Sequence, residues 1–170
     1  MTTTNTLRRH VHPSPVGDLQ IITSSRGLRA VLWPVEKAGR VEFDEDVVDA
    51  DADDVAHATA AQLDEYFAGD RDSFDLPLDP VGTDFQREVW AGLSRIPHGE
   101  TSSYGALADK LDRPGAARAV GAATGANPIS IIVPCHRLVG ASGKLTGFAG
   151  GLDTKRWLLE HERGGQLSFG

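Results

Sequence analysis

The apolar positions fall into two regimes along the 170 residues. In the first part they come in short runs broken by turn residues. Arg8 to His12, Leu19 to Thr23 and Leu28 to Trp33 have strand length, and Pro13 to Gly17 and Ser24 to Gly27 separate them. Such runs read as strands joined by tight turns, which predicts an antiparallel three-stranded meander. The period then changes. Val55, Ala58, Leu63, Tyr66 and Phe67 can share one helical face, with Gly69 placed to end the helix. Residues 41–54 are acid-rich and weakly periodic, and read as an exposed, solvated loop with room for one short strand at its start. Phe74 to Leu78 reads as an edge strand, where Pro77 is tolerated. Residues 1–6 are polar and expected to be disordered.

From Phe85 onward the spacing is mostly helical. Phe85, Val89, Trp90, Leu93 and Ile96 form one inward face, and Pro97 to Glu100 breaks the helix. A second helix is predicted from Ser103 to Leu111, with Ser102 or Ser103 as its cap. A turn at Asp112 to Gly115 leads to a third, Ala116 to Thr124. Helix, short Gly-containing turn, helix is the helix-turn-helix pattern, though many helical hairpins bind nothing. The third helix is rich in small side chains, with Arg118 projecting from it. Small residues serve tight packing as well as close approach to a groove. The predicted fold is α/β in the α+β sense. Residues 1–79 would form an antiparallel three-stranded roll with a helix, acting as support. Residues 80–170 would form a mostly helical domain carrying the helix-turn-helix and the chemistry, with Pro80 to Thr83 as linker.

The chemistry centres on Ile131-Ile-Val-Pro-Cys-His-Arg-Leu-Val139, which holds the only cysteine. Pro134 cannot donate to a sheet ladder, so regular pairing should stop there. In a strand Cys135 and His136 would point to opposite faces. Cooperation between them therefore requires a turn or a 3₁₀ step. A lone cysteine excludes an internal disulfide and any zinc site built on two or more thiolates. It can be an inert buried residue or a nucleophile assisted by histidine. The tetrapeptide alone leaves both readings open. His10, His12 and His57 are scattered and read as surface or packing residues, so no metal site is expected.

Charge adds one qualification. The net charge of −7 argues by itself against nucleic acid. Its distribution is uneven: residues 101–170 carry +3 and residues 1–100 carry −10. One face would repel polyanions and another tolerate them. The hydrophobic fraction of 40% is ordinary for a globular chain. No run approaches a membrane span, and the N-terminus lacks the apolar stretch of a signal peptide. A reducing, cytoplasmic compartment suits a free thiol.

Asn127-Pro128, Pro134-Cys-His-Arg137, Gly147-Phe-Ala-Gly-Gly151 and Lys155-Arg-Trp-Leu-Leu-Glu-His-Glu162 together resemble the O6-alkylguanine-DNA alkyltransferases. The resemblance runs without a gap from Tyr104 to Glu162 and less specifically back to Phe85. It implies direct-reversal DNA repair. An alkyl group on guanine O6 would pass irreversibly to Cys135, once per molecule and without a cofactor. The partner would be double-stranded DNA carrying O6-alkylguanine, with O4-methylthymine as a second candidate lesion, bound by a monomer with no obligate protein partner.

The resemblance also assigns roles. Arg118 would fill the stack vacated by the flipped base. Ala117, Ala119 and Gly121 would line the smooth face of a minor-groove helix. Tyr104 would sit by the rotated phosphate and donate toward the guanine. His136 would take the thiol proton through a bound water, oriented by Glu162. Asn127 would organise the turn before the cysteine. Val133, Pro134, Leu138, Phe148 and Ala149 would form the base pocket. The carbonyls of Cys135 and Leu138 and the N–H of Ala149 would read the base. Ala149 stands where some relatives have serine, and Phe148 where some have tyrosine. Some relatives carry an N-terminal zinc site, for which this chain has no cysteines. Others replace the nucleophile by tryptophan and only bind lesions. A lesion sensor or DNA-binding regulator is thus the alternative, and a thiol hydrolase a remoter one.

Overall fold

The structure, a computed structural model, describes residues 6–164, so the expectation for residues 1–5 lies outside it. Strands β1 (Thr6–His12), β2 (Leu19–Ser24) and β3 (Gly27–Leu32) form the predicted antiparallel meander. The sheet has a fourth strand, β4 (Asp46–Asp49), parallel to β1 in the order β3-β2-β1-β4. It lies inside the segment read as a solvated loop. Val47 packs on a small second core of Leu7, Ile22, Ala30 and Leu32, while its charged ends protect an open sheet edge. The acidic run is also engaged, not merely solvated. Glu45 pairs with buried Arg29, Asp49 with Arg9, and Asp53 caps the next helix through the Ala56 N–H.

That helix, α1 (Asp54–Phe67), buries Ala56, Thr59, Leu63 and Tyr66. The buried stripe is rotated from the expected one, so Val55, Ala58 and Phe67 flank it. Gly69 follows with φ +83, the left-handed conformation that ends many helices. Residues 74–78 do not form an edge strand. Leu78 makes a single bridge to Leu28, and Pro77 offers only its carbonyl, to the Leu28 N–H.

Helix α2 (Asp84–Leu93) opens with a capping box between Thr83 and Gln86 and buries Val89, Trp90 and Leu93. Helices α3 (Tyr104–Lys110) and α4 (Ala117–Gly125) follow, with Ser103 capping α3 through the Ala106 N–H. Between them Asp112 and Gly115 take positive φ. Trp90 Nε1 donates to the Ala123 carbonyl and ties α2 to α4. Helix α5 (Leu152–Glu162) closes the described chain.

One apolar core runs from β2 and β3 through α1 to the helices of the second half. The two halves also share backbone bonds. Val31 N–H donates to the Pro128 carbonyl, and Ser130 N–H donates back to Val31. Edge strand β3 thus holds the segment that leads into the cysteine. Among the described residues no helix is long and apolar enough to cross a membrane.

Candidate active site

Pro134 ends the extended run, and Cys135–Arg137 form one turn of 3₁₀ helix. This is the step that cooperation between adjacent thiol and imidazole demands. The turn is held from both sides. Upstream, Asn127 folds the backbone around its side chain. Its Oδ1 accepts from the Ile129 N–H at 3.0 Å, and its Nδ2 donates to the Val133 carbonyl at 3.0 Å. Between these anchors Ile131 adopts φ +74. A β-branched residue there costs on the order of 1–3 kcal/mol, and it persists because the surrounding bonds over-determine it. Downstream, two-residue strand β6 (Leu138–Val139) pairs in parallel with β5 (Ser102–Ser103). That pairing brings the first residue of α3, Tyr104, beside the cysteine turn.

The thiol is buried, and burial pushes its pKa up, against the smaller opposing effects of the Asn127 amide, Arg40 and Lys155. Cys135 is therefore a thiol at neutral pH and needs a base when it reacts. His136 is fully buried, and desolvation pushes its pKa down despite the neighbouring Glu162 carboxylate. It is neutral at rest. Its Nε2 lies 2.6 Å from Glu162 Oε2, whereas Nδ1 has no partner among the described residues. An ionised carboxylate can only accept, so the proton sits on Nε2 and the lone pair on Nδ1.

Glu162 is ionised. Burial alone would raise its pKa, but His136 and Arg137 more than offset this and hold it well below the usual carboxylate range. Arg137 donates from Nε to Oε1 at 2.8 Å and from Nη2 to Oε2 at 3.0 Å, with Nη1 on the Ile96 carbonyl at 2.6 Å. A buried charge so paired is tolerated.

A cavity of about 50 Å³ opens onto the thiol. Tyr104, Gly121, Phe148, Ala149 and Arg40 are among its walls. Gly121 faces the Tyr104 ring, at a distance where a Cβ would make ordinary contact with it, 3.5 Å. Phe148 packs edge-on against Trp33, 5.4 Å between ring centres. The Tyr104 hydroxyl is 2.8 Å from Thr146 Oγ1. Val133, Pro134 and Leu138 do not line this cavity. Val133 and Leu138 are buried behind the turn. Pro134 lines a separate cavity of about 470 Å³ on the other side, with Arg137, His98 and residues 72–74. The Leu138 carbonyl already accepts from Lys155 Nζ at 2.6 Å. On α4, Ala117 is half-buried, and Arg118 and Ala119 face solvent, with no ion pair to Arg118 among the described residues.

Four residues at the site carry no role in the sequence reading: Arg40, Tyr66, Thr146 and Lys155. The Lys155 side chain is 1% exposed, and desolvation lowers its pKa to about 8. One signal for it was present. Lys155, Leu158, Leu159 and Glu162 form a single helical stripe, and all four are buried. Two charges on an apolar stripe mark a polar network rather than a plain core face. Arg40 donates to the carbonyls of Gly125 and Asn127 from a loop 85 residues upstream, and nothing in the local sequence announces it.

The fold and the site define a class of protein in which a helix-turn-helix stands beside a buried thiol–imidazole–carboxylate array. Comparison with known proteins narrows the class. Residues 84–164 match the family model for the 6-O-methylguanine DNA methyltransferase DNA binding domain, and residues 7–80 match the ribonuclease-like domain of the same proteins. A Methanosarcina acetivorans protein named methylated-DNA–protein-cysteine methyltransferase is 44% identical over 152 residues, covering 89% of this chain and 96% of its own. A Mycobacterium tuberculosis protein of that name is 63% identical over 102 residues, 60% of this chain; the match spans 62% of the relative's length. The crystal structure of Mycobacterium tuberculosis OGT in complex with DNA superposes with a TM-score of 0.81 at 45% identity, covering 94% of this chain and 93% of that one. The chain belongs to the methylated-DNA–protein-cysteine methyltransferase family.

Proposed function

We propose that this protein repairs alkylated DNA by moving the alkyl group of O6-methylguanine onto Cys135. One observation carries the reading. The only cysteine is followed by a buried, neutral histidine whose Nε2 is taken by an ionised glutamate and whose Nδ1 is free to accept. As the thiol attacks the methyl carbon, its proton passes through a water to Nδ1. The S–C bond forms, the C–O bond breaks, and guanine leaves with the electron pair. Glu162 stabilises the imidazolium that results. Tyr104 at the cavity mouth donates toward the leaving base.

Double-stranded DNA is the partner, met by α4. Its small residues Ala117 and Ala119 allow close approach, and Arg118 fills the stack when the lesion is flipped out. The present cavity has room only for a few waters, so admitting a purine requires its walls to open. The thioether is stable and no group here can reverse it, so each molecule acts once. O4-methylthymine fits the same chemistry. Residues 80–170 hold the DNA-binding and transfer functions and residues 1–79 support them, acting as a monomer in a reducing, cytoplasmic compartment.

The test is intact-protein mass after incubation with an oligonucleotide carrying one O6-methylguanine. One methyl on wild type, at most one equivalent, and none on Cys135→Ser supports the reading. Lesion binding with no mass gain makes the protein a sensor instead.

A further inference from the structure

Tyr66 ends the buried stripe of α1, far from the cysteine in sequence. Its ring is enclosed by Phe67, Phe74, His98 and His161, with centroids 5.2 to 6.1 Å away. Its hydroxyl donates to Glu162 Oε2 at 2.7 Å, across 96 residues. That oxygen also accepts from His136 Nε2. A carboxylate has about four lone-pair sites. Here four donors meet it: the Tyr66 hydroxyl, His136 Nε2, and Arg137 Nε and Nη2. Three of them converge on Oε2 and the fourth holds Oε1, so the carboxylate has one orientation and His136 one tautomer.

We propose that Tyr66 is a positioning residue for alkyl transfer: its hydroxyl locks Glu162 and sets the basicity of His136. The inference rests on the proposed transfer chemistry and deepens it, because it gives the N-terminal half a part in the reaction. The hydroxyl spreads the negative charge of Glu162 and moderates its pull on the imidazole. Burial, then Glu162, pushes the phenol pKa far above its usual range, so the group is a permanent donor. No water replaces it, since Tyr66 is 0% exposed. The other groups facing this network are His161, whose Nε2 meets the Tyr66 carbonyl at 2.7 Å, and His98, edge-on to the ring. Lys155, earlier on α5, also acts on His136 through its charge.

Tyr66→Phe removes only the hydroxyl. The charge on Oε2 then concentrates, His136 becomes more basic, and the acid limb of the single-turnover rate profile moves up by about half a unit or more. Phe67→Leu is the control. It disturbs the same aromatic cluster without touching Glu162 and leaves the limb in place. Site-specific 3-fluorotyrosine at position 66 keeps the shape, strengthens the donor and moves the limb down. It serves even if Tyr66→Phe folds poorly. An unmoved limb in Tyr66→Phe and the fluoro variant, or an equal movement in Phe67→Leu, overturns the proposal. A readout without DNA separates the two ideas. In ¹⁵N-histidine spectra the His136 Nε2–H signal should shift in Tyr66→Phe. If wild type transfers no alkyl group, the functional reading fails, while this shift still decides whether Tyr66 tunes His136.

Discussion

His136 Nε2 and Glu162 Oε2 are 2.6 Å apart, with both side chains closed to solvent. The pair joins a 3₁₀ turn to the last residue of α5, 26 residues on. The thiol beside it is too well buried to ionise without a base.

Glu162→Gln keeps the shape but removes the charge. Arg137 is then left buried without a counter-ion, which costs about 3–5 kcal/mol. Urea unfolding should show a fall of that order. Methyl transfer, followed by quench and mass, should slow by at least about tenfold, since the histidine loses the group that stabilises its charged form.

Asn127→Ala strands the Ile129 N–H in a dry interior and leaves the Val133 carbonyl only its bond from the Cys135 N–H. The unpaired donor costs about 1–3 kcal/mol. The melting temperature should drop, and transfer should be lost along with the turn that presents Cys135. A variant with unchanged stability would contradict the role given to this side chain.

Arg118→Ala should behave in the opposite way. The residue is exposed and makes no ion pair among the described residues, so stability should stay within about 0.5 kcal/mol of wild type. Capture of a lesion-bearing duplex should weaken. Affinity measured from low to moderate salt should fall steeply, as expected where cations replace counter-ions.

Acid should destabilise the protein through His136. Its folded pKa is depressed, so below the unfolded value of about 6.5 the unfolded chain binds a proton that the folded one refuses. Stability from this group is therefore complete above that pH and declines as pH falls toward 5. Glu162 acts in the same direction but only lower, because its depressed pKa keeps its contribution intact down to about its unfolded value of 4.5. Thermal melts at pH 5, 6 and 7 should show the slope, and His136→Gln should flatten it.

Gly150→Ala tests the wall of the pocket. A Cβ there would stand 2.8 Å from the Trp33 ring and 3.1 Å from Phe148. Both rings must shift, so transfer should slow several-fold while the fold persists. The single-turnover rate and the melting temperature, measured together, separate these effects.

Much of this site could be read in the chain itself. The proline before Cys135 forces the break in pairing, and the adjacent histidine then shares a turn with the thiol. The small-residue helix with Arg118, the Asn127-Pro128 turn and the carboxylate near the end of the last helix are visible locally, but their roles in the site come only with the family resemblance. The meander and the helices declare themselves by local spacing, since periodicity of two or 3.6 is a property of neighbouring residues.

What the fold alone decided are the contacts between distant segments. Strand β4 forms where Val47 finds an apolar face across the sheet, a partner that its own four residues, two of them aspartates, do not announce. Arg40 reaches the site from a loop, and Tyr66 reaches Glu162 from another half of the chain. Val133 and Leu138 turn behind the cysteine instead of into its cavity. A sequence records which side chains are apolar and which are charged. Which charges meet in the interior follows from packing, where each buried polar group must find a partner.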